Sequence, residues 1–461
     1  MKKLFFIEVL VMMFVCLQVV CGQAKYVFYF IGDGMGLNQV NIAEVYLSAM
    51  NGTRGSASLS MTRFPVATMA ATFSQNSDVT DSAAGGTALA TGSKTNNGYI
   101  GVDAELNRLE SIAEKAKKAG KKVGVASTVQ ANHATPAAFY GHQKDRNMYY
   151  EIAQDMILSD FDFIAGAGLY NRDKLFDNTS APDIYPQIEQ AGYFIAKGYD
   201  DFKANAGRSK KIFLVQKNWE KSGDIPYAID RKEGDLSLKQ ITEAAIDVLT
   251  RDNKKGFFLM LEGGRIDWAG HDNDGAAVIK EVIDMDEAVQ VALDFYRKHP
   301  KETLIVITAD HETGGMTAGK GYMRINVLQH QKMSQELLAQ RIGEFAASKN
   351  GNVPWEDMKN LLSETMGFWK EIPLNWERER ALRDTYEDIF VRRRNISERN
   401  YSLLAEKACQ VINDIAGLGW TTGSHSADFV PVFVIGAGQE LFSTKMDNTE
   451  IPLKIIKAAK Y

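Results

Sequence analysis

The residues best able to do chemistry in this chain are one serine and a scatter of carboxylates and imidazoles. Ser82 opens the run Ser82-Ala83-Ala84-Gly85-Gly86-Thr87-Ala88, just after Thr80-Asp81. Small residues behind a serine let a helix begin tightly packed, with Ser82 at or near its N-cap. The first amide groups of a helix lack partners within it and its dipole is positive there, which suits an anion, phosphate above all. Serine is also an ordinary helix cap, so the run alone specifies no reaction. Of seven histidines, His133, His271, His311 and His425 stand among small and polar residues in turn-like segments. Asp267 and His271 are four residues apart, on one face if that segment is helical. Asp310 and His311 are adjacent, and Thr422-Gly423-Ser424-His425 adds an imidazole before a late apolar run. With Asp33 and Glu262, these residues supply ligands for two nitrogen/oxygen sites suited to zinc, and an oxygen-rich site suited to magnesium is also open.

Such residues lie far apart in the chain, so strands and loops must gather them. Tyr26–Ile31, Lys122–Ala126, Phe161–Ala165, Tyr193–Ala196, Ile212–Val215, Gly256–Leu261, Thr303–Thr308 and Phe429–Ile435 read as short buried strands. Asp103–Lys118, Leu238–Arg251 and Ala276–Lys298 have helical spacing. The alternation implies an α/β fold, a three-layer α/β/α sandwich with a mostly parallel central sheet covered on both faces. Asp33, Glu262 and Asp310 each follow a strand, which places them at the crevice of an open sheet. The turn Gly32-Asp33-Gly34-Met35-Gly36 lacks the glycine spacing of a dinucleotide-binding loop. Residues 320–418 are charged and strand-poor, with helices expected at Ser334–Phe345, Pro354–Met366 and Ser397–Ile415, and read as a helical subdomain inserted in a catalytic domain of 25–461. The charged runs Glu377–Arg380 and Arg392–Arg394 read as solvated faces.

A formal net charge of −5 over 461 residues argues against nucleic acid as the main partner, and it requires any anion site to be locally positive through metal or arginine. Residues 1–24 read as a signal peptide: Lys2 and Lys3 precede an apolar stretch from Val9 to Val20, with small residues at Gly22 and Ala24. A secreted or periplasmic protein is expected. Cys21 raises a lipid anchor, against which the bulk of Val20 before it counts. Cys16 and Cys21 lie in this leader, so Cys409 stands alone in the mature chain and no internal disulfide is expected.

Six motifs in order resemble the alkaline phosphatases across nearly all the expected mature length outside the insertion. They are Ile31-Gly32-Asp33-Gly34-Met35-Gly36, Asp78 through Ala84 around Ser82, Ala134-Thr135-Pro136-Ala137-Ala138 through Arg146, Glu262 through His271, Thr308-Ala309-Asp310-His311, and Thr422 through His425. The resemblance implies hydrolysis of small phosphate monoesters to alcohol and inorganic phosphate, through a phosphoserine on Ser82. It implies two zinc ions, one held by Asp267, His271 and His425, the other by Asp33, Asp310 and His311 beside Ser82. It implies one magnesium with Asp33, Thr135 and Glu262, a phosphate clamp at Arg146, and a possible homodimer. His133 stands near the magnesium where many bacterial members have aspartate, and Trp268 lines the substrate pocket where they have lysine and animal members histidine. Diesterase relatives share a two-zinc core but lack the arginine and the third site, so Arg146, Thr135 and Glu262 favour monoesters. No Gly-x-Ser-x-Gly elbow surrounds Ser82, which argues against other serine hydrolases.

Overall fold

The computed structural model describes residues 23–461 except 223 and 393–397. The signal peptide expected at 1–24 lies almost wholly outside the described residues, as do Cys16, Cys21, Arg393 and Arg394. Strands β1 (Tyr26–Gly32), β2 (Val66–Ala71), β3 (Lys122–Ser127), β4 (Phe163–Gly166), β5 (Tyr193–Lys197), β6 (Lys211–Val215), β7 (Phe257–Gly263), β8 (Thr303–Thr308), β9 (Val430–Gly436) and β10 (Met446–Asp447) form one sheet. Its order is β10-β2-β9-β8-β1-β7-β3-β4-β6-β5. All neighbours are parallel except β9, which runs antiparallel to both β8 and β2. Every residue of β1, β7 and β8 is buried, so both faces of the sheet are covered, and these strands carry unbroken apolar runs rather than alternation.

The central register does the positioning. Ile31 of β1 pairs with Glu262 on one side and Thr308 on the other, and Ser127 of β3 pairs with Glu262. Asp33, Glu262 and Asp310 therefore emerge side by side at the carboxyl ends of adjacent strands. Three helices complete the frame: α1 (Ser82–Thr91), α2 (Arg265–His271) and α3 (Gly275–Lys298).

Helix α1 is buried at every position. Asp81, not Ser82, is its N-cap: the Asp81 carboxylate accepts from Ala84 N–H at 2.9 Å, and Gly92 closes the helix in the left-handed conformation, φ +78°. Ser82 is thus the first residue inside the helix. The small residues serve close approach. A Cβ on Gly85 would lie 2.9 Å from the Asp310 carbonyl oxygen, and one on Gly86 3.1 Å from Thr135 Cα.

The helix expected over Asp103–Lys118 begins only at Ile112. The Asp103 carboxylate accepts from Glu105 and Asn107 N–H, folding a turn with Leu106 at φ +67°, and Ser111 then caps the helix reciprocally with Glu114. Between 320 and 418 lie helices α4 (Gln335–Ser348), α5 (Trp355–Met366), α6 (Trp376–Tyr386) and α7 (Glu398–Ala416). Thr317 and Ala318 pair with Gly419 and Leu418, so the two ends of this segment leave the fold side by side. Glu377 and Arg380 are exposed on α6, and Arg392 pairs with Glu387 and Asp388. Cys409 is a buried thiol that receives a weak contact from Gln331 Nε2 at 3.8 Å.

Gly85→Ala tests the close approach. With backbone rather than a yielding side chain against the new methyl, the variant should lose about 1–3 kcal/mol, read as a lower urea midpoint, and should lose turnover as Ser82 shifts relative to Asp310. Parent-like stability and activity together would contradict the packing argument.

Candidate active site

At the strand ends the side chains converge on Ser82, which is 2% exposed. Its Oγ lies 3.2 Å from His311 Nε2, and that nitrogen is 3.4 Å from both Asp33 Oδ1 and Asp310 Oδ2. The chain direction after β1 is set by the Gly32–Gly36 turn, in which Gly34 sits at φ +73° and donates to Asp310 Oδ1 at 3.3 Å. Close by, His271 Nε2 is 3.2 Å from His425 Nε2 and 3.4 Å from Asp267 Oδ1, while His425 Nε2 is 3.5 Å from the same oxygen. Asp267 and His271 face each other because α2 puts them one turn apart. His271 Nδ1 is held by the Gly423 carbonyl and His425 Nδ1 by that of Thr80, each at 2.9 Å, which leaves both Nε2 atoms aimed at the cleft.

Three overlapping groups of donor atoms result: Asp267, His311 and His425; Asp33, Asp310 and His311; Asp33, His133 and Glu262. The candidate donor atoms of each lie within 4.8 Å of one another. Thr135 Oγ1 sits between Asp33 Oδ2 at 3.4 Å and Asp310 Oδ2 at 3.3 Å. The donor set suits cations. Asp33 Oδ1, Glu262 Oε1 and His133 Nδ1 are buried, and none has a hydrogen-bond partner among the described residues. Leaving such atoms unpaired costs folding free energy, unless a bound ion satisfies them.

Electrostatics point the same way. Burial, reinforced by neighbouring carboxylates, raises Asp33 and Asp310 well above the usual carboxyl range. Burial also pushes Glu262 up to about 7, against hydrogen bonds headed by that from Ser127. Burial would raise Asp267 too, but the hydrogen bond with His271 and the charges of His311, His271 and His425 outweigh it and hold the carboxyl well below its usual value. His271 is raised to about 9, chiefly by that hydrogen bond. His133 is driven down to about 3 by burial and then by the Arg146 charge, so it stays neutral and able to ligate.

Arg146 reaches the same cleft from the loop before the Tyr149–Leu158 helix. Its Nη1 donates to Asp81 Oδ2 at 3.0 Å, and its Nη2 lies 3.3 Å from His133 Nε2. Asp81 therefore both caps α1 and holds the guanidinium. Sequence reasoning named Ser82 and passed over Asp81, because aspartate and serine are about equally good N-caps and residue type does not separate two neighbours. It also missed Ser127, whose hydroxyl donates to Glu262 Oε2; that partnership depends on strand register, which has no local signal. Trp268 packs edge-on to His133, with ring centroids 6.1 Å apart, while the Arg265 guanidinium lies 4.6 Å from its ring centre. His142 lies apart from the cleft, between the Gly101 carbonyl and Glu114. His299 packs against Tyr26 and Phe295.

A mostly parallel α/β sheet carries at its strand ends a cleft of carboxylates and imidazoles, with a helix-terminal serine and an arginine beside them, an arrangement of the hydrolase class. Comparison with known proteins specifies it further. The chain matches the alkaline phosphatase family over residues 24–162 and 213–461, and it belongs to that family. It is 33% identical over 457 residues to alkaline phosphatase 4 of Bacillus subtilis (strain 168), covering 95% of this chain and 90% of that protein. Its fold is similar to the crystal structure of a cold-active alkaline phosphatase from a psychrophilic Shewanella, with TM-score 0.79, 28% identity, and coverage of 94% of this chain and 99% of that one. It is also similar to a histidine-to-glutamate variant of the TAB5 alkaline phosphatase solved with magnesium in its M3 site, with TM-score 0.66, 29% identity, and coverage of 96% and 99%. The protein is a phosphomonoester hydrolase, with phosphate monoesters as substrates and inorganic phosphate as product.

The raised carboxyls predict how the cation-free protein responds to pH. Ordinary carboxyls titrate near ~4, whereas Glu262 in the fold titrates at about 7 and Asp33 and Asp310 are raised as well. The folded state then holds carboxyl protons that the unfolded chain has released, while the depressed imidazoles of His133 and His311 act the other way below pH ~6.5; above that pH only the raised groups remain, and stability falls as pH rises. Cations, which need the deprotonated carboxylates, reverse the trend. The thermal midpoint of chelator-treated protein should therefore fall between pH ~6.5 and ~9, as Glu262 and then His271 lose their protons, and added divalent cations should restore it at the upper end. A midpoint at the higher pH that ignores added cations would count against the electrostatic reading.

Proposed function

We propose that the reaction is metal-dependent and passes through a phosphoserine on Ser82, with two zinc ions and one magnesium as the resident cofactors. The observation that carries this is the approach of Ser82 Oγ and the Asp33–Asp310 pair to one nitrogen, His311 Nε2, at 3.2–3.4 Å. Asp267, His271 and His425 would hold the first zinc, and Asp33, Asp310 and His311 the second. Asp33, Thr135 and Glu262, with His133 alongside, would hold the magnesium. When bound, these cations would lower the pKa of the serine hydroxyl and balance the charge on attacking and leaving oxygens.

The protein's own groups supply the rest. Ser82 Oγ attacks phosphorus in line, the ester P–O bond breaks, and the alcohol departs. Water then attacks the phosphoserine, returning Ser82 and releasing inorganic phosphate. The α1 N-terminus directs backbone N–H groups and its positive dipole at the phosphoryl oxygens. Arg146 offers two parallel donors to a phosphate edge, and Asp81 fixes the plane of that fork. Burial of the cleft excludes water from these contacts, which strengthens them. The three-group donor set and the arginine support monoesters over diesters, because a second ester substituent would take up the phosphate edge that the arginine grips.

Ser82→Ala should abolish turnover of p-nitrophenyl phosphate while leaving cation content unchanged, measured by elemental analysis. The parent protein should lose activity on chelation and regain it with zinc and magnesium. Full activity in the alanine variant would rule out Ser82 as the nucleophile.

Trp268 carries no charge, unlike a lysine at that position, so phosphate should be held loosely. Trp268→Lys should tighten competitive inhibition by inorganic phosphate by about tenfold, the worth of one charge-assisted hydrogen bond. Unchanged inhibition would show that the position does not reach phosphate.

A further inference from the structure

Thr313 lies in the short strand Glu312–Thr313, fully buried two residues beyond His311. Its hydroxyl donates to Asp267 Oδ1 at 2.5 Å, and the same oxygen lies 3.2 Å from His311 Nδ1. A threonine hydroxyl has one proton to give. With that proton committed to the carboxylate, the oxygen can only accept, so the hydrogen of the His311 contact sits on Nδ1. His311 Nε2 then keeps its lone pair, and Nε2 is the atom that faces Ser82, Asp33 and Asp310.

The backbone of the same residue ties in the remaining segments. Thr313 N–H donates to the Gly34 carbonyl at 3.0 Å, its carbonyl accepts from Gln39 Nε2 at 2.9 Å, and it pairs with His425 in a two-residue antiparallel ladder. The side chain occupies a slot between two glycines. A Cβ on Gly34 would come 2.7 Å from Thr313 Oγ1, and one on Gly270 would come 3.0 Å from its Cγ2. One residue therefore touches the turn after β1, helix α2, its own strand and the His425 strand. These segments, together with Asp310 and His311 immediately before its own strand, carry the nitrogen and carboxylate groups assigned above to the two zinc ions.

We propose that Thr313 is a positioning residue that couples the two groups: its hydroxyl joins the Asp267 carboxylate of one to the His311 imidazole of the other and fixes which imidazole nitrogen is offered. This rests on the reading that Asp267 and His311 hold cations. The hydroxyl touches neither substrate nor a reacting atom, so its effect belongs to cation affinity rather than to the chemical step.

The test compares Thr313→Val, which keeps the branched shape without the hydroxyl, with Thr313→Ser, which keeps the hydroxyl without the methyl. Zinc is titrated calorimetrically into each chelator-treated protein, with near-ultraviolet circular dichroism to report packing. The valine variant should keep the parent spectrum and bind zinc about 10–100-fold more weakly, the usual effect of losing a hydrogen-bond partner of a ligand. The serine variant should return affinity close to that of the parent. Parent-like affinity in the valine variant overturns the proposal, as does serine binding as weakly as valine. Should valine disturb the packing, ring-nitrogen NMR of cation-free parent protein decides: His311 protonated on Nδ1 supports the assignment, and on Nε2 overturns it. A parent protein that binds no zinc at all defeats the cofactor reading itself, and this result differs from a defect confined to the valine variant.

Discussion

Four carboxyl groups, those of Asp33, Glu262, Asp267 and Asp310, are buried within one cleft, none more than 4% exposed. Like charges this close and this dry repel strongly, and removing each from water costs several kcal/mol. A fold that merely had to be stable would not assemble them. The arrangement makes sense as a receptor for positive charge, and much of the surrounding structure can be understood as the means of holding these groups against their mutual repulsion. The parallel sheet fixes the spacing of three of them through backbone hydrogen bonds, which no side-chain repulsion at the strand ends can easily break.

The same electrostatic demand explains the division between imidazoles. His133 and His311 are pushed toward the neutral form, chiefly by burial, and neutral imidazole is the form that ligates. His271, more exposed and bonded to Asp267, is pulled the other way in the absence of a cation. Arg146 is kept charged by Asp81 despite its burial, so the cleft carries a fixed positive group beside the carboxylates. An anionic substrate thus meets an arginine and a helix terminus first, and the acidic floor of the site only through whatever cations it holds.

The rigidity of the cleft comes from small residues as much as from hydrogen bonds. Gly85 and Gly86 bring α1 against Asp310 and Thr135, while Gly34 and Gly270 enclose Thr313. Side chains at these places would push those segments apart. Members of the alkaline phosphatase family share this fold over most of the chain, and the segment between 320 and 418 adds helices without interrupting the strands that bear the site.

The sequence by itself carried a good part of this. Apolar runs at Tyr26, Gly256 and Thr303 announced the central strands, because burial on both faces leaves a continuous local signature. The motifs around Asp33, Ser82, Asp267, Asp310 and His425 were legible for a similar reason: each is a short stretch of unusual residues beside a strand end or in the first turn of a helix. The start of the helix at Ile112 was not legible, since the Asp103 carboxylate diverted the backbone into a turn that its apolar spacing did not reveal. Nor were the partnerships of Asp81 with Arg146, Ser127 with Glu262, and Thr313 with Asp267 and His311. Those pairs are separated by 65, 135 and, for Asp267, 46 positions. Residue type and spacing could say which groups were chemically capable. Only the register of the sheet and the docking of its loops decided which of them touch, because contacts across such distances depend on the whole fold and leave no periodic trace in the chain.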